Sequence, residues 1–158
     1  MRSALTTIFS LLLAYMPVQG QYATPPASAP GVVDTSITQS NIATTICVPN
    51  YTATVRPPVS WTNRLKVSLM AQFHLTGAMN GYELDHRVPI EVGGAPRDAR
   101  NLWMQPWPEA RLKDRLETFK HRQVCAGKVT LRQSQEVFLK DFWAEYDRLA
   151  PAQGWPVR

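Results

Sequence analysis

Residues 82–104 constrain the fold of this chain more than any other segment. In YELDHRVPI, residues 82–90, the side chains of one set (Tyr, Leu, His, Val, Ile) alternate with charged ones, which is the two-residue period of a β-strand. Pro89 indicates that this strand ends there or lies at a sheet edge. Gly93 and Gly94 allow a turn, and NLWM at residues 101–104 fits a short return strand. The segment therefore predicts a β-hairpin.

Helices are predicted on both sides of the hairpin. Apolar residues recur at helical spacing in three segments, over residues 60–73, 109–124 and 131–149. Thr130 with Gln133 resembles a capping box at the start of the last helix, and Gly127 fits the end of the one before it. The order helix, hairpin, helix, helix predicts a small single domain of the α+β class.

The chain begins with a segment typical of exported proteins. Residues 1–20 combine Arg2, an apolar run and small residues near Gly20, which favours a cleaved signal peptide over an uncleaved anchor or a buried apolar helix. Residues 21–40 begin rich in Pro, Ala and Ser and are expected to be a flexible linker. We expect the folded domain at 41–150 and a tail at 151–158. The mature protein would be periplasmic or secreted, monomeric and not membrane-bound.

The two cysteines and the net charge carry weaker information. Cys47 and Cys125 form no C-x-x-C pair, so in an oxidising compartment one disulfide is the simplest expectation, with two free buried thiols as the alternative. Seventeen Lys and Arg against twelve Asp and Glu give a net charge of +5. A basic chain favours an anionic partner such as a nucleic acid or a membrane surface.

Asp85 and His86 have the chemistry that cleavage of a phosphodiester requires. A histidine is a suitable base near neutral pH, and carboxylate oxygens suit a hard cation such as Mg²⁺. Neighbouring residues of a regular strand point to opposite faces, so the two converge only where the strand twists or bulges. The following helix offers Asp114, Glu117 and His121 on one face.

The combination of Asp85-His86-x-x-Pro89, Gly93-Gly94 and Asn101-Leu102 resembles the HNH endonucleases, also called ββα-metal or His-Me finger nucleases. The later KDRLE segment, His121 and the VCAG segment resemble small exported bacterial members of that family. The similarity extends over about residues 44–149. It implies a β-hairpin followed by a helix, with a divalent metal between them.

The resemblance also implies residue roles. His86 matches the general base that activates water, and Asp85 matches the metal ligand beside it. Asn101 matches the residue that orients the loop carrying the base. The remaining family ligand falls on Ala110, which cannot bind a metal, so Asp114 is the favoured last ligand, with Glu117 and then His121 as alternatives. The metal is expected to be Mg²⁺, with Mn²⁺ or Zn²⁺ as alternatives.

Basic side chains would position the substrate. Arg87 and Lys113 are the candidate contacts to phosphate, although Lys113 fits an ion pair with Glu117 or Glu109 equally well. The wider set on the same helix is Arg111, Lys113, Arg115, Lys120 and Arg122, which is either a phosphate-binding surface or a solvated charged face.

The expected function is a metal-dependent HNH endonuclease that hydrolyses DNA, and RNA as a further substrate, with low sequence specificity. Two alternatives remain at this point. One is a non-catalytic nucleic-acid-binding or envelope protein on an HNH scaffold, since Ala110 removes a ligand. The other is a different metal hydrolase acting on another anionic substrate.

Overall fold

The computed structural model describes residues 23–158. The predicted signal peptide lies outside the described residues and stays a prediction. Within residues 23–158, no helix is both long enough and apolar enough to cross a membrane.

Residues 23–158 form one antiparallel hairpin and five helices. The strands are β1 (Tyr82–His86) and β2 (Leu102–Pro106), paired in regular register from Tyr82 opposite Pro106 to His86 opposite Leu102. The helices are α1 (Tyr51–Val55), α2 (Val59–Gln72), α3 (Trp107–Cys125), α4 (Leu131–Leu139) and α5 (Phe142–Gln153). Single 3-10 turns lie at Ile42–Thr44, Met79–Gly81, Ile90–Val92 and Ala99–Asn101. The predicted class, a small α+β domain, is confirmed.

The prediction of one last helix over residues 131–149 is wrong. The predicted capping box at Thr130 and Gln133 is present and starts α4. That helix stops at Leu139 because Lys140 leaves the helical region and the side chain of Asp141 accepts a hydrogen bond from the amide of Ala144 at 3.0 Å. Asp141 therefore begins a second helix, α5, as an N-cap residue.

The domain is longer at both ends than predicted. The expected flexible linker, residues 21–40, instead packs on the domain from residue 23: Ala29 and Ile37 are buried, and Val33 pairs with Gly94. The small uncharged side chains of this segment allow close packing. Its backbone forms hydrogen bonds with the hairpin loop instead of belonging to a helix or a strand. The predicted tail begins inside α5, and its Trp155 packs edge-on against Phe119 with ring centroids 5.7 Å apart.

The predicted disulfide between Cys47 and Cys125 is present. It ties the segment before α1 to the last residue of α3, beside a small apolar cluster of Ile37, Ile46, Val124 and Leu131. Closing a loop of 78 residues stabilises the fold by about 4.5 kcal/mol in the chain-entropy model. The larger core lies between the hairpin loop, α3, α4 and α5, with Val88, Trp103, Leu116, Phe138 and Tyr146 among its buried members.

The hairpin loop requires glycine at one position for a steric reason. A Cβ atom on Gly94 would lie 1.8 Å from the carbonyl oxygen of Val88 and 2.9 Å from that of Pro89. Both obstructing atoms are backbone atoms of the hairpin loop. The amide of Gly94 donates a hydrogen bond to the carbonyl oxygen of Pro89 at 2.8 Å, which holds Gly94 against them. The loop can therefore close this tightly only without a side chain.

We expect Gly94→Ala to lower the free energy of unfolding by about 3 kcal/mol or more, because rigid backbone atoms block the added methyl group. Gly81→Ala is the matched control, since its Cβ would meet no atom within 4 Å. Urea unfolding followed by circular dichroism measures both. Equal stability of the two variants would contradict the close approach at Gly94.

Candidate active site

His86 ends β1 and is held in a defined orientation. Its Nε2 lies 3.0 Å from the carbonyl oxygen of Pro96. A carbonyl only accepts hydrogen bonds, so Nε2 carries the proton and Nδ1 is left with the lone pair in the neutral ring. Burial lowers the pKa of the imidazole below its usual value, against the raising effects of the Pro96 hydrogen bond and of Asp85. At neutral pH the ring is therefore neutral and able to accept a proton.

Asn101 fixes the loop between the strands. Its side chain is fully buried, and its Oδ1 accepts from the amides of Val88 at 2.9 Å and Val32 at 3.1 Å. Its Nδ2 donates to the carbonyls of Val88 and Ala95, both at 3.0 Å. All four bonds hold backbone around His86, so the geometry agrees with an orienting role for Asn101 and gives it no position for proton transfer.

Lys113 connects α3 to β1 from inside the protein. Its side chain is 0% exposed, and its ammonium lies 2.7 Å from Asp85 Oδ2 and 2.8 Å from the carbonyl oxygen of His86, and also pairs with Glu117. Burial alone would lower the pKa of this ammonium, but the carboxylates of Asp85 and Glu117 outweigh that effect and raise it. Lys113 is thus a permanent buried cation between strand and helix.

The two predicted phosphate contacts are wrong in this geometry. Lys113 has no exposed surface with which to reach a substrate. Arg87 turns away from the site and donates to the carbonyls of Ala29 at 3.2 Å, Phe138 at 3.2 Å and Leu139 at 2.8 Å. Both residues brace the domain, and the sequence pattern could not distinguish inward-facing from outward-facing cations.

An acidic group surrounds Asp85. Burial, with further contributions from the charges of Asp85 and Asp114, raises the pKa of Glu83 to about 7. Burial, and next the charge of Asp85, also raises the pKa of Asp114. Glu83 is not among the site residues predicted from the sequence, although its spacing of two from Asp85 on a strand places both on one face. A cation placed beside these carboxylates would offset both their burial and their mutual repulsion.

Several buried polar atoms in and beside the hairpin have no hydrogen-bond partner among the described residues. Trp103 and Gln105 lie on β2 opposite Asp85 and Glu83, respectively, and so share their face. Trp103 Nε1, both amide atoms of Gln105, Glu83 Oε2 and, in the loop, Glu91 Oε2 are buried with no hydrogen-bond partner among the described residues. Such atoms in folded proteins are usually satisfied by water or an ion. The carboxylate oxygens match the ligands that Mg²⁺ prefers.

The predicted metal ligands are not equivalent. Asp85 and Asp114 interact electrostatically and lie in the acidic group, whereas Glu117 is the buried partner of Lys113. Ala110, where the resemblance to HNH endonucleases would place a ligand, is buried in the core. His121 lies elsewhere, with Nε2 2.9 Å from the carbonyl oxygen of Ile46. Of the three candidates on α3, Asp114 therefore stands in the better position to complete a site with Asp85.

The regular strand register leaves Asp85 and His86 on opposite faces, since β1 contains no bulge. Lys113 nevertheless contacts both residues: it pairs with the carboxylate of Asp85 and donates to the backbone carbonyl of His86. A shallow depression of about 310 Å³ includes Asp114 of the acidic group and is lined by Asp114, Arg115, Thr118, Arg122 and Trp155. Arg115 and Arg122 are exposed and present positive charge beside Asp114.

Comparison of the chain with models of known families, with curated proteins and with solved structures finds no match.

We expect Asn101→Asp to lower the free energy of unfolding by about 3 kcal/mol or more. The carboxylate cannot donate to the carbonyls of Val88 and Ala95, and it places a charge in a fully buried position. Asn63→Asp, on the exposed face of α2, makes the same chemical change and should be close to neutral. Thermal unfolding of both variants measures the difference, and a stable Asn101→Asp protein would refute the hydrogen-bond network.

Lys113→Met should destabilise the protein by about 3–5 kcal/mol, because it leaves the carboxylates of Asp85 and Glu117 buried without a cation. Lys128→Met removes an exposed lysine and serves as the control. Denaturant titration of the two variants at neutral pH gives the comparison. A Lys113→Met protein as stable as the control would show that Lys113 does not hold the strand to the helix.

Proposed function

We propose that this protein is a metal-dependent endonuclease of the HNH type that hydrolyses phosphodiester bonds of DNA, and of RNA as a further substrate. The observation that carries the proposal is the hairpin–helix unit itself. A neutral, oriented histidine ends β1, an asparagine on the return path fixes its loop, and α3 follows β2 directly and bonds back to β1.

His86 acts as the base in this mechanism. Its Nδ1 accepts a proton from a water molecule as the water oxygen attacks phosphorus and the bond to the leaving oxygen breaks. The Nε2–H bond to Pro96 keeps the ring in the required tautomer and supports the positive charge that it gains. Asn101 maintains that arrangement by holding Val88 and Ala95, on either side of the Gly93-Gly94 turn, in place.

Asp85 with Asp114 would hold the divalent cation, with water as its further ligands. Carboxylate oxygens of Asp85, Asp114 and Glu83 do not all lie within 4.8 Å of one another, so Glu83 would contribute negative charge nearby. When bound, Mg²⁺ or Mn²⁺ supplies positive charge to the phosphate and to the leaving oxygen. Lys113 pairs with the carboxylate of Asp85 and fixes its position against α3. The positive charge of Lys113 reduces the net negative charge of the acidic group. The site would therefore bind its metal ion weakly and exchange it readily.

Substrate binding falls to the exposed arginines beside Asp114. Arg115 and Arg122 line the depression next to the acidic group, where they can contact phosphate oxygens. Contacts of this kind carry no information about base sequence, and their affinity falls as salt rises. Low sequence specificity is therefore the expected behaviour.

The test is cleavage of supercoiled plasmid DNA by the purified protein, with Mg²⁺, with Mn²⁺ and with EDTA. We expect cutting with either metal, none with EDTA, and a loss of at least about 100-fold in rate for His86→Ala, the size of effect that general-base catalysis has. His74→Ala removes an exposed histidine and should cut like the wild type.

Three outcomes would count against the proposal. DNA retardation without cleavage under either metal would favour a binding protein on this scaffold. Turnover of a non-nucleotide phosphate ester with intact DNA would favour a different hydrolase. A His86→Ala protein that is folded by circular dichroism and still cuts at the wild-type rate would remove His86 from the mechanism.

A further inference from the structure

Cys47, His121 and Cys125 gather at the C-terminal end of α3. Their two sulfur atoms and one ring nitrogen lie within 4.8 Å of one another. Within residues 23–158, no other three His, Cys, Asp or Glu side chains bring their ligand atoms so close. His121 and Cys125 are four residues apart on the helix and so share a face. Two thiolates and an imidazole form a ligand set that Zn²⁺ accepts.

His121 has one ring nitrogen left to bind a metal. Its Nε2 lies 2.9 Å from the carbonyl oxygen of Ile46, so Nε2 carries the proton and Nδ1 retains the lone pair. Ligating histidines generally donate their second ring N–H to a carbonyl or carboxylate in this way. Glu117, the helical neighbour that would otherwise attract His121, is paired with Lys113.

We propose that the reduced form of this protein binds one Zn²⁺ through Cys47, His121 and Cys125, with water in the fourth position. The disulfide and the zinc centre are then alternative ways of linking the segment before α1 to the end of α3. A dithiol reductant attacks the disulfide, becomes oxidised to its own disulfide, and delivers two electrons and two protons to the cysteine sulfurs. Binding of Zn²⁺ releases the two thiol protons to solvent.

The backbone allows both states with little change. The Cα atoms of the two cysteines are 5.6 Å apart. Tetrahedral Zn–S bonds of about 2.3 Å require the sulfurs to separate to about 3.8 Å, which side-chain rotation can provide. Cys125 is exposed, so a reductant can reach the bond.

The site is separate from the candidate active site. Twelve residues along α3 divide Cys125 from Lys113, a distance of about 18 Å at the rise of an α-helix. The proposal therefore does not depend on nuclease activity, and zinc binding can be measured in the absence of DNA.

The experiment compares oxidised protein with protein reduced by a phosphine under argon. Each form is titrated with Zn²⁺ in competition with a chromophoric chelator, and with Co²⁺ while the absorption of cobalt–thiolate bonds is recorded. We expect the reduced form to bind one more Zn²⁺ than the oxidised form and to give the cobalt–thiolate bands, which the oxidised form lacks. Reduced protein that binds Zn²⁺ no better than the Cys47→Ser, Cys125→Ser double variant would overturn the proposal.

His121→Ala tests the third ligand. We expect it to weaken Zn²⁺ binding by the reduced protein by at least about 10-fold, because loss even of a residue that only orients a ligand costs about 10- to 100-fold. His74→Ala is the matched control and should bind like the wild type. Equal affinities of the two variants would exclude His121 from the site.

Reduction removes the disulfide and can unfold the chain, so near-ultraviolet circular dichroism is recorded in the same titration. We expect Zn²⁺ to retain or restore the native spectrum of the reduced protein and to raise its unfolding midpoint, because the ligands converge only in the fold. Binding without a native spectrum would show capture by unfolded thiols and would also overturn the proposal.

Discussion

The ammonium group of Lys113 is the interaction on which the arrangement of this domain depends. It joins the carboxylate of Asp85 and the carbonyl of His86 on β1 to Glu117 on its own helix. It also lies 5.6 Å from the ring centroid of Phe138 on α4 and 5.7 Å from that of Phe142 on α5. One buried cation therefore sets the position of the hairpin against three helices, because its desolvation is tolerable only while all these partners surround it.

The contacts of Lys113 also determine how the acidic group is arranged. With α3 held against β1, Asp114 is brought near Asp85 and Glu83, and repulsion between the carboxylates adds to burial in raising the pKa values of Glu83 and Asp114. Asn101 and Gly94 shape the loop that presents the Pro96 carbonyl to His86. His86 and the acidic group, which lie on opposite faces of β1, are thus positioned by two independent devices, a hydrogen-bonded loop and a buried ion pair.

Much of the fold was predictable because local chemistry determined it. The alternation in residues 82–86, the Gly-Gly turn and the capping box at Thr130 each specify their structure without distant partners. The break at Asp141 was missed because apolar spacing continues through it, and the packing of residues 23–37 was missed because it depends on contacts with the hairpin loop. The inward direction of Lys113 was equally hidden, since its partners include Asp85, 28 positions earlier in the chain.

The central claim is that His86 accepts a proton during phosphodiester cleavage, and chemical rescue tests it most directly. His86→Gly removes the ring and leaves a space for free imidazole beside the Pro96 carbonyl. Plasmid cleavage by this variant with Mg²⁺ is measured as imidazole is added. The account predicts that cleavage is lost without imidazole and rises with its concentration, while Asp85→Asn stays inactive throughout. A folded His86→Gly protein that cuts at the wild-type rate without imidazole would contradict it.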